Sequence, residues 1–184
     1  MPGKHLRPQP PTPESLSRDA LDLRDRLAHS RGFLPAIFEV CLHTPAVLER
    51  LAALGERLRF ESGLDPTLRE LATLAVARES GCEYEWAHHL RAAKSLGIDR
   101  ATLEQLASGD PFEEESPVGA TVRYARLIAA GRPIDDPTFE AVRRHLGDGG
   151  VVELTILAGY YLLLARLAAA LEVELEPQFE QPDL

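Results

Sequence analysis

Dipeptides that start helices recur along the chain, and they constrain its fold more than any other feature of the sequence. Five of them place a capping side chain directly before a proline: Thr12-Pro13, Thr44-Pro45, Asp65-Pro66, Ser116-Pro117 and Asp136-Pro137. The capping oxygen accepts hydrogen bonds from free backbone amides, and proline is favoured at the first helical position. Asp99 is a sixth candidate cap, and glycines follow most of the expected helix ends.

These signals predict nine helices, over residues 13–30, 34–43, 45–61, 66–80, 82–96, 100–108, 117–130, 137–146 and 149–173. No segment shows the sustained two-residue alternation that is typical of strands. We therefore predict an all-α helical bundle that forms one domain over residues 12–175. Residues 1–11 are Pro-rich and expected to be disordered. Residues 176–184 are expected to form an acidic tail, either solvated or draped over a partner.

Composition excludes several classes of function. The formal net charge of −9 argues against nucleic acid as a partner, because phosphate binding needs a basic surface. A secretion signal is not recognisable at the N-terminus, and two cysteines do not make a disulfide framework, so a cytoplasmic location is predicted.

The apolar stretch 151–173 could be mistaken for a membrane span. Glu153 and Arg166 leave twelve uncharged residues between them, whereas a spanning helix needs about twenty. We predict a core helix and no membrane association. A helix this apolar on all sides also predicts a homo-oligomer, because a monomer would expose a large apolar patch.

The segment from Glu79 to His89, with the sequence ESGCEYEWAHH, carries the most chemistry. At about 100° per residue, Cys82, Glu85 and His89 fall within an arc of roughly 60° on the apolar side of a predicted helix. Trp86 is expected on the same side, to pack in the core or form a pocket wall. His88 is expected to point away from that side, towards Tyr84. Tyr84, Trp86 and His88 are the candidate residues of a substrate pocket.

Each polar residue of this segment has more than one interpretation. Glu85 and His89 form an i,i+4 pair that suits general acid and base chemistry once desolvated. The same pair could supply two metal ligands, but a second ligand pair is not recognisable, so we assign neither a metal nor a cofactor. Cys82 is a small buried hydrophobe or a thiolate near a helix start. Glu70, on the preceding helix, pairs with Arg69 or takes part in the site.

The segment RELATLAVARESGCEYEWAHHLRAAKSLGI resembles the core of the carboxymuconolactone decarboxylase and alkylhydroperoxidase D superfamily. The resemblance is specific over residues 66–109 and extends more loosely over most of the chain. It implies an all-helical fold, assembly into trimers or hexamers, and an active site for a small molecule near subunit contacts.

The resemblance also assigns residues. Alkylhydroperoxidases of the superfamily carry a Cys-x-x-Cys-x-x-x-His motif with a glutamate one helix earlier. Glu70, Cys82 and His89 occupy three of these positions. Glu85 replaces the second cysteine, which argues against a disulfide-cycling peroxidase. The decarboxylase branch carries Glu-Phe-Glu followed by a histidine. The stretch from Glu83 to Glu85, followed by His89, resembles that pattern.

Three hypotheses follow. The first is a carboxymuconolactone decarboxylase-like enzyme that performs cofactor-free acid and base chemistry on a small lactone or carboxylate. In it His89, oriented by Glu85, is the acid, and Glu70 maintains the protonation state of the pair. The second is an alkylhydroperoxidase-like antioxidant protein that uses Cys82 with an external thiol. The third is a non-catalytic oligomer that binds a ligand or a partner.

Overall fold

A computed structural model describes residues 7–179, which are all-α as predicted: no strand occurs between these limits. The helices are α1 Arg18–Arg31, α2 Ala36–Cys41, α3 Pro45–Phe60, α4 Pro66–Ser80, α5 Glu83–Ser95, α6 Arg100–Ser108, α7 Pro117–Ala129 and α8 Asp136–Ala170. Short 3₁₀ turns at Pro13–Ser15 and Pro177–Phe179 lie outside these helices.

Three of the predicted caps form the expected hydrogen bonds. The Asp65 side chain accepts from the amides of Thr67 and Leu68, Ser116 accepts from Gly119, and Asp99 accepts from Thr102. Each of these side chains satisfies an amide that has no partner inside the helix. The local sequence therefore fixes the starts of α4, α6 and α7.

Two other predicted starts are wrong in detail, and one predicted start is correct but lacks its capping hydrogen bond. Thr12 precedes only a 3₁₀ turn, and α1 begins at Arg18 because Ser17 accepts a hydrogen bond from the amide of Ala20. Thr44 precedes α3 without a capping hydrogen bond from its side chain. Asp135, one residue earlier than predicted, caps α8. That register places Pro137 at the second helical position, where its missing amide proton also costs nothing.

The two helices predicted at the C-terminal end are parts of α8, which breaks at Gly147 with φ 66° and ψ 175°. Glycine reaches this left-handed φ without a steric penalty. By length and composition α8 could cross a membrane, yet half of its most apolar window is buried inside the protein. It is the kind of core helix that the sequence predicts.

Helix α4 is the centre of the bundle and packs against α5, α6, α7 and α8. Eight successive residues of α4, from Glu70 to Ala77, are buried. A helix that is apolar on all sides can be stable only inside other helices. The exception within this run is Glu70, which brings a carboxylate into the core.

The chain ends lie partly outside the described residues, including 1–6 of the predicted disordered segment and 180–184 of the predicted tail. The backbone of Arg7 donates to the carbonyl of Leu171 at 2.9 Å, so the N-terminal segment packs on the end of α8. The expectation of a solvated tail is wrong for Glu176. Its carboxylate lies between α2 and α5. There it is hydrogen-bonded to the amide of Ala36, the hydroxyl of Tyr84 and the imidazole of His88.

Candidate acid and base site

A tight helical hairpin builds the site. Helix α4 ends at Gly81, which has a left-handed φ of 65°, and the amide of Cys82 donates to the carbonyl of Ala77 at 2.9 Å. Cys82 then serves as the N-cap of α5. Because two residues join the helices, α4 and α5 must run side by side in opposite directions. Glu70 of α4 therefore lies against His89 of α5.

Glu70 and His89 form a buried pair, each about 3% exposed. Nδ1 of His89 lies 2.7 Å from Oε2 of Glu70. Burial opposes ionisation of Glu70, but the charge and hydrogen bond of His89, helped by Arg59 and Arg69, outweigh it and lower the pKa of Glu70. Burial lowers the pKa of His89, against the opposing pull of Glu70. His89 is therefore neutral near pH 7, with Nδ1–H donated to Glu70 and a lone pair on Nε2.

Glu85 faces the other nitrogen of His89. Its Oε2 lies 3.6 Å from Nε2, which is longer than a hydrogen bond. Burial raises the pKa of Glu85 to about 8; the charge of Arg59 opposes this change and that of Glu176 adds to it. At neutral pH the side chain is thus a carboxylic acid with a proton to give. A neutral acid and a neutral base face each other across this gap.

These two groups open into a cavity of about 60 Å³, here called the inner cavity. Its polar and aromatic lining is Arg31, Arg59, Tyr84, Glu85, His88, His89, Tyr160 and Tyr161. The ring of Tyr161 meets His89 edge-on, with centroids 4.6 Å apart. Sites for small organic ligands usually measure about 300–1,000 Å³. The inner cavity can therefore hold the reacting atoms of a substrate but not the whole molecule.

Tyr84 and His88 lie on one wall of the inner cavity, where Glu176 holds both of them. Oη of Tyr84 donates to Glu176 at 2.7 Å, and Nε2 of His88 lies 2.8 Å from the same carboxylate. The backbone amide of Ala36 is the third donor, at 2.8 Å. Burial opposes ionisation of Glu176, but these donors outweigh it and lower its pKa to about 2. Contrary to the helical-wheel expectation, His88 does not point away from the site.

Cys82 and Trp86 lie elsewhere. They line a separate cavity of about 310 Å³, together with residues of α4 and α6, and neither lines the inner cavity. The prediction that Cys82 shares a helix face with Glu85 and His89 is wrong. Cys82 has an extended backbone, with φ −94° and ψ 94°, and is not part of the helix. Burial raises the pKa of the Cys82 thiol. A thiol in this environment is a poor nucleophile.

Sequence reasoning missed four lining or supporting residues: Arg59, Tyr160, Tyr161 and Glu176. The adjacent tyrosines did carry a signal, since a buried tyrosine in an otherwise aliphatic helix needs a partner for its hydroxyl. Arg59 is indistinguishable by pattern from Arg57, and Glu176 is one of several acids near the C-terminus.

The site does not have the geometry of a metal centre. Among residues 7–179 no group of three or more His, Cys, Asp or Glu side chains is arranged to hold a metal ion. Glu70 and Glu85 approach different nitrogens of one imidazole, so the three side chains do not converge on a common point.

Comparisons with known proteins agree with this architecture. Residues 45–112, which run from α3 through α6 and include Glu70, Glu85 and His89, match the Carboxymuconolactone decarboxylase family. A peroxidase-related protein from Ralstonia eutropha JMP134, with an alkylhydroperoxidase AhpD core, superposes with a TM-score of 0.80 at 19% identity, covering 96% of this chain and 95% of that one. A peroxidase-related protein from Silicibacter sp. TM1040 gives 0.81 at 18% identity, over 97% and 95%.

These similarities establish an all-helical fold of the alkylhydroperoxidase AhpD type, and the family match is confined to residues 45–112. The debrominase Bmp8, solved in complex with 2,3,4-tribromopyrrole, has the same fold, with a TM-score of 0.73 at 14% identity over 95% of this chain and 96% of that one. No curated protein sequence matches the chain. The likeness to these solved structures therefore establishes the fold, and the reaction must be argued from the site.

Proposed function

We propose that this protein is a cofactor-free enzyme that decarboxylates a small unsaturated lactone carboxylate, or a related carboxylate, by acid and base chemistry. One observation carries the proposal. The carboxyl of Glu85, which burial keeps protonated, and the free Nε2 of His89 line the same inner cavity, 3.6 Å apart. An acid and a base with complementary protonation states are what proton transfer at carbon requires.

The reaction divides into two steps. When the bond between the substrate and its carboxylate breaks, CO2 leaves and the electron pair moves into the adjacent unsaturated lactone. That carbon then takes the proton of Glu85, which becomes a carboxylate. His89 returns a proton from solvent to Glu85 through Nε2, while Glu70 keeps the imidazole in the orientation and tautomer that this transfer needs.

This assignment exchanges the roles predicted from sequence, which made His89 the acid. Burial keeps the proton on Glu85 and off His89 at neutral pH, so Glu85 is the better donor. Glu85 and His89 are also 4% and 3% exposed, and burial strengthens the electrostatic interactions between such groups.

Thiol chemistry at Cys82 is the competing function, and the peroxidase-related neighbours motivate it. Two observations argue against it: the thiol lies in a different cavity from His89, and its pKa is raised. Both cysteines are free, which fits the reducing cytoplasm that we propose as the location.

Turnover of γ-carboxymuconolactone tests the proposal, followed by the loss of its ultraviolet absorbance and by CO2 release. The variants Glu85→Gln and His89→Gln keep the volume of the site but remove its acid and its base. Cys82→Ser is the matched control. We expect turnover in the wild type and in Cys82→Ser, and its loss in the other two. Hydroperoxide consumption that depends on Cys82, without lactone turnover, would overturn the proposal.

A further inference from the structure

A larger cavity adjoins the inner cavity and shares four wall residues with it: Arg31, Pro35, Arg59 and His88. This outer cavity measures about 760 Å³ and lies between α1, the ends of α3 and α5, and the C-terminal 3₁₀ turn. Its volume falls in the range of ligand sites, whereas that of the inner cavity does not. The non-reacting part of a substrate must therefore lie in the outer cavity.

The outer cavity is basic in a protein that is acidic as a whole. Four arginines line it, namely Arg31, Arg59, Arg69 and Arg91, against one carboxylate, Glu70. The chain has a net charge of −9. A concave surface lined by one sign of charge concentrates ligands of the opposite sign. The outer cavity is therefore suited to an anion.

The four arginines differ in their partners. Arg31 is paired with Glu56 at 2.9 Å, and the guanidinium of Arg91 lies over the ring of Phe179 at 5.3 Å. Nε of Arg69 is buried without a hydrogen-bond partner and lies 3.6 Å from Glu70. Arg31 and Arg59 both line the two cavities, but of these two only Arg59 has no carboxylate of residues 7–179 within ion-pair distance.

Arg59 lies at the junction of the two cavities. Its guanidinium makes no hydrogen bond or ion pair with any residue from 7 to 179, and its one ring contact is to its neighbour Phe60 at 5.3 Å. The side chain is nonetheless half-buried. Its five N–H donors are therefore available to a ligand that enters either cavity, and binding one would break no ion pair or hydrogen bond with these residues.

We infer that Arg59 is a specificity-determining residue that binds a carboxylate of the substrate at the junction of the two cavities. The inference deepens the proposed function and rests on it. A guanidinium binds a carboxylate through two parallel hydrogen bonds, which fixes the orientation of the bound molecule as well as its position. An anion anchored at Arg59 extends one end towards Glu85 and His89, because all three residues line the inner cavity.

A carboxylate fits this junction better than a phosphate does. Glu70 is a buried anion within the electrostatic reach of Arg59, whose charge helps to lower the pKa of Glu70. Glu70 cancels part of the positive charge of the arginines, which reduces the advantage of a dianionic phosphate, and the two oxygens of a planar carboxylate match the fork of one guanidinium. The aromatic rings of Phe33, Phe60 and Phe179 in the outer cavity add surface for an unsaturated or cyclic body.

If Arg59 had a purely structural role, replacing it would not change ligand binding. Arg57 and Arg59 both lie in the last turn of α3, where a positive charge stabilises the helix. Arg57 is exposed and lies 3.8 Å from Glu61, outside both cavities. If helix stabilisation were the whole role of Arg59, removing either charge would have similar effects and neither would change ligand binding. Arg57→Gln is thus the matched control.

The experiment is a fluorine NMR titration of the full-length protein with 4-fluorobenzoate, and with 4-fluorobenzamide as its uncharged analogue. We expect the carboxylate to bind the wild type at least about tenfold more tightly than the amide. We expect Arg59→Gln to bind 4-fluorobenzoate at least about tenfold more weakly than the wild type. The affinity of Arg59→Lys should lie between those of the wild type and Arg59→Gln, and Arg57→Gln should bind like the wild type. Circular dichroism checks the folding of each variant, and Arg59→Lys carries the test if Arg59→Gln does not fold.

Several results would overturn the inference: equal binding of the two probes, no carboxylate binding by the wild type, or a folded Arg59→Gln that binds like Arg57→Gln. Phenyl phosphate that binds more tightly than 4-fluorobenzoate would overturn the choice of carboxylate. The titration needs no turnover, so its failure is distinct from a failure of the proposed function. Lactone turnover that survives while carboxylate binding is independent of Arg59 would refute this inference alone.

Discussion

The carboxylate of Glu70 on α4 accepts a hydrogen bond from Nδ1 of His89 on α5 at 2.7 Å, within the core of the bundle. This contact fixes the tautomer of the imidazole, because a nitrogen that donates to a carboxylate must carry the proton. The second nitrogen, Nε2, is then left as the base that faces Glu85. Glu70 thereby sets the tautomer of His89, whereas burial sets the protonation state of Glu85.

Replacing Glu70 by glutamine should preserve the fold and reduce turnover by at least about tenfold, because an amide no longer enforces one tautomer. The ionised Glu70 raises the pKa of His89 against the effect of burial. Its loss should therefore lower that pKa further and move the acidic limb of the pH–rate profile to lower pH. Steady-state kinetics across pH would check both effects; an unchanged profile would show that Glu70 has no part in the site.

The pH dependence of kcat/KM should report Glu85 on its basic side. Burial raises the pKa of Glu85 to about 8, so the acid form is present below that pH and is lost above it. Activity should accordingly fall as the pH rises through about 8, with a slope of one proton. His89, whose pKa is lowered, remains a neutral base through the whole plateau. Constant activity from pH 6 to pH 10 would contradict Glu85 as the proton donor.

Glu176 should stabilise the fold through its contacts with Tyr84, His88 and the amide of Ala36. Removing the acceptor in Glu176→Ala leaves three donors unpaired, so we expect a loss of about 2 kcal/mol in the free energy of unfolding. The folded pKa of Glu176, about 2, is below its ordinary value of 4.5. Its contribution should therefore be complete above about pH 4.5 and lost as the pH falls towards 2.

Urea unfolding at pH 7 and at pH 3 would measure this contribution. Glu174→Ala is the matched control, since Glu174 lies in the same segment and is exposed. We expect Glu174→Ala to have the same free energy of unfolding as the wild type at both pH values. Equal stabilities for the two variants at pH 7 would show that the C-terminal segment packs without help from Glu176.

Oligomerisation is a further proposal, and α8 is the surface on which it depends. Val152, Ile156 and Leu163 lie on one face of this helix and are 60%, 46% and 50% exposed. We propose that a second copy of the chain covers this face. Light scattering should give a multiple of 20.2 kDa for the wild type, and a smaller species for Ile156→Glu. A wild type of 20.2 kDa would refute the proposal.

The sequence predicted the fold better than it predicted the site. Capping side chains and glycines act locally, so the bounds of α4 and α6 could be predicted to the residue. The contact between Glu70 and His89 depends on how two helices pack, and the family resemblance was the one guide to it. Cys82 was misplaced because a helical wheel assumes helical backbone angles at a residue that caps the helix.

The remaining misses have a common physical cause. Glu176 and Arg59 owe their roles to burial, and burial is a property of the assembled bundle. In the sequence, Glu176 lies among other acidic residues, and Arg59 follows Arg57 with a single residue between them. Only the packing of α2, α3 and α5 around the inner cavity distinguishes each of them from its neighbours.

The protonation state of Glu85 tests the central claim most directly. Carbon NMR of protein labelled at the glutamate carboxyl carbon, titrated from pH 4 to pH 10 in the wild type and in Glu85→Gln, isolates the Glu85 signal as the one that the variant lacks. The account predicts that this carboxyl titrates near pH 8 and is protonated at pH 7. Titration near 4.5 would mean that Glu85 is ionised at neutral pH, and it would contradict the assignment of Glu85 as the acid.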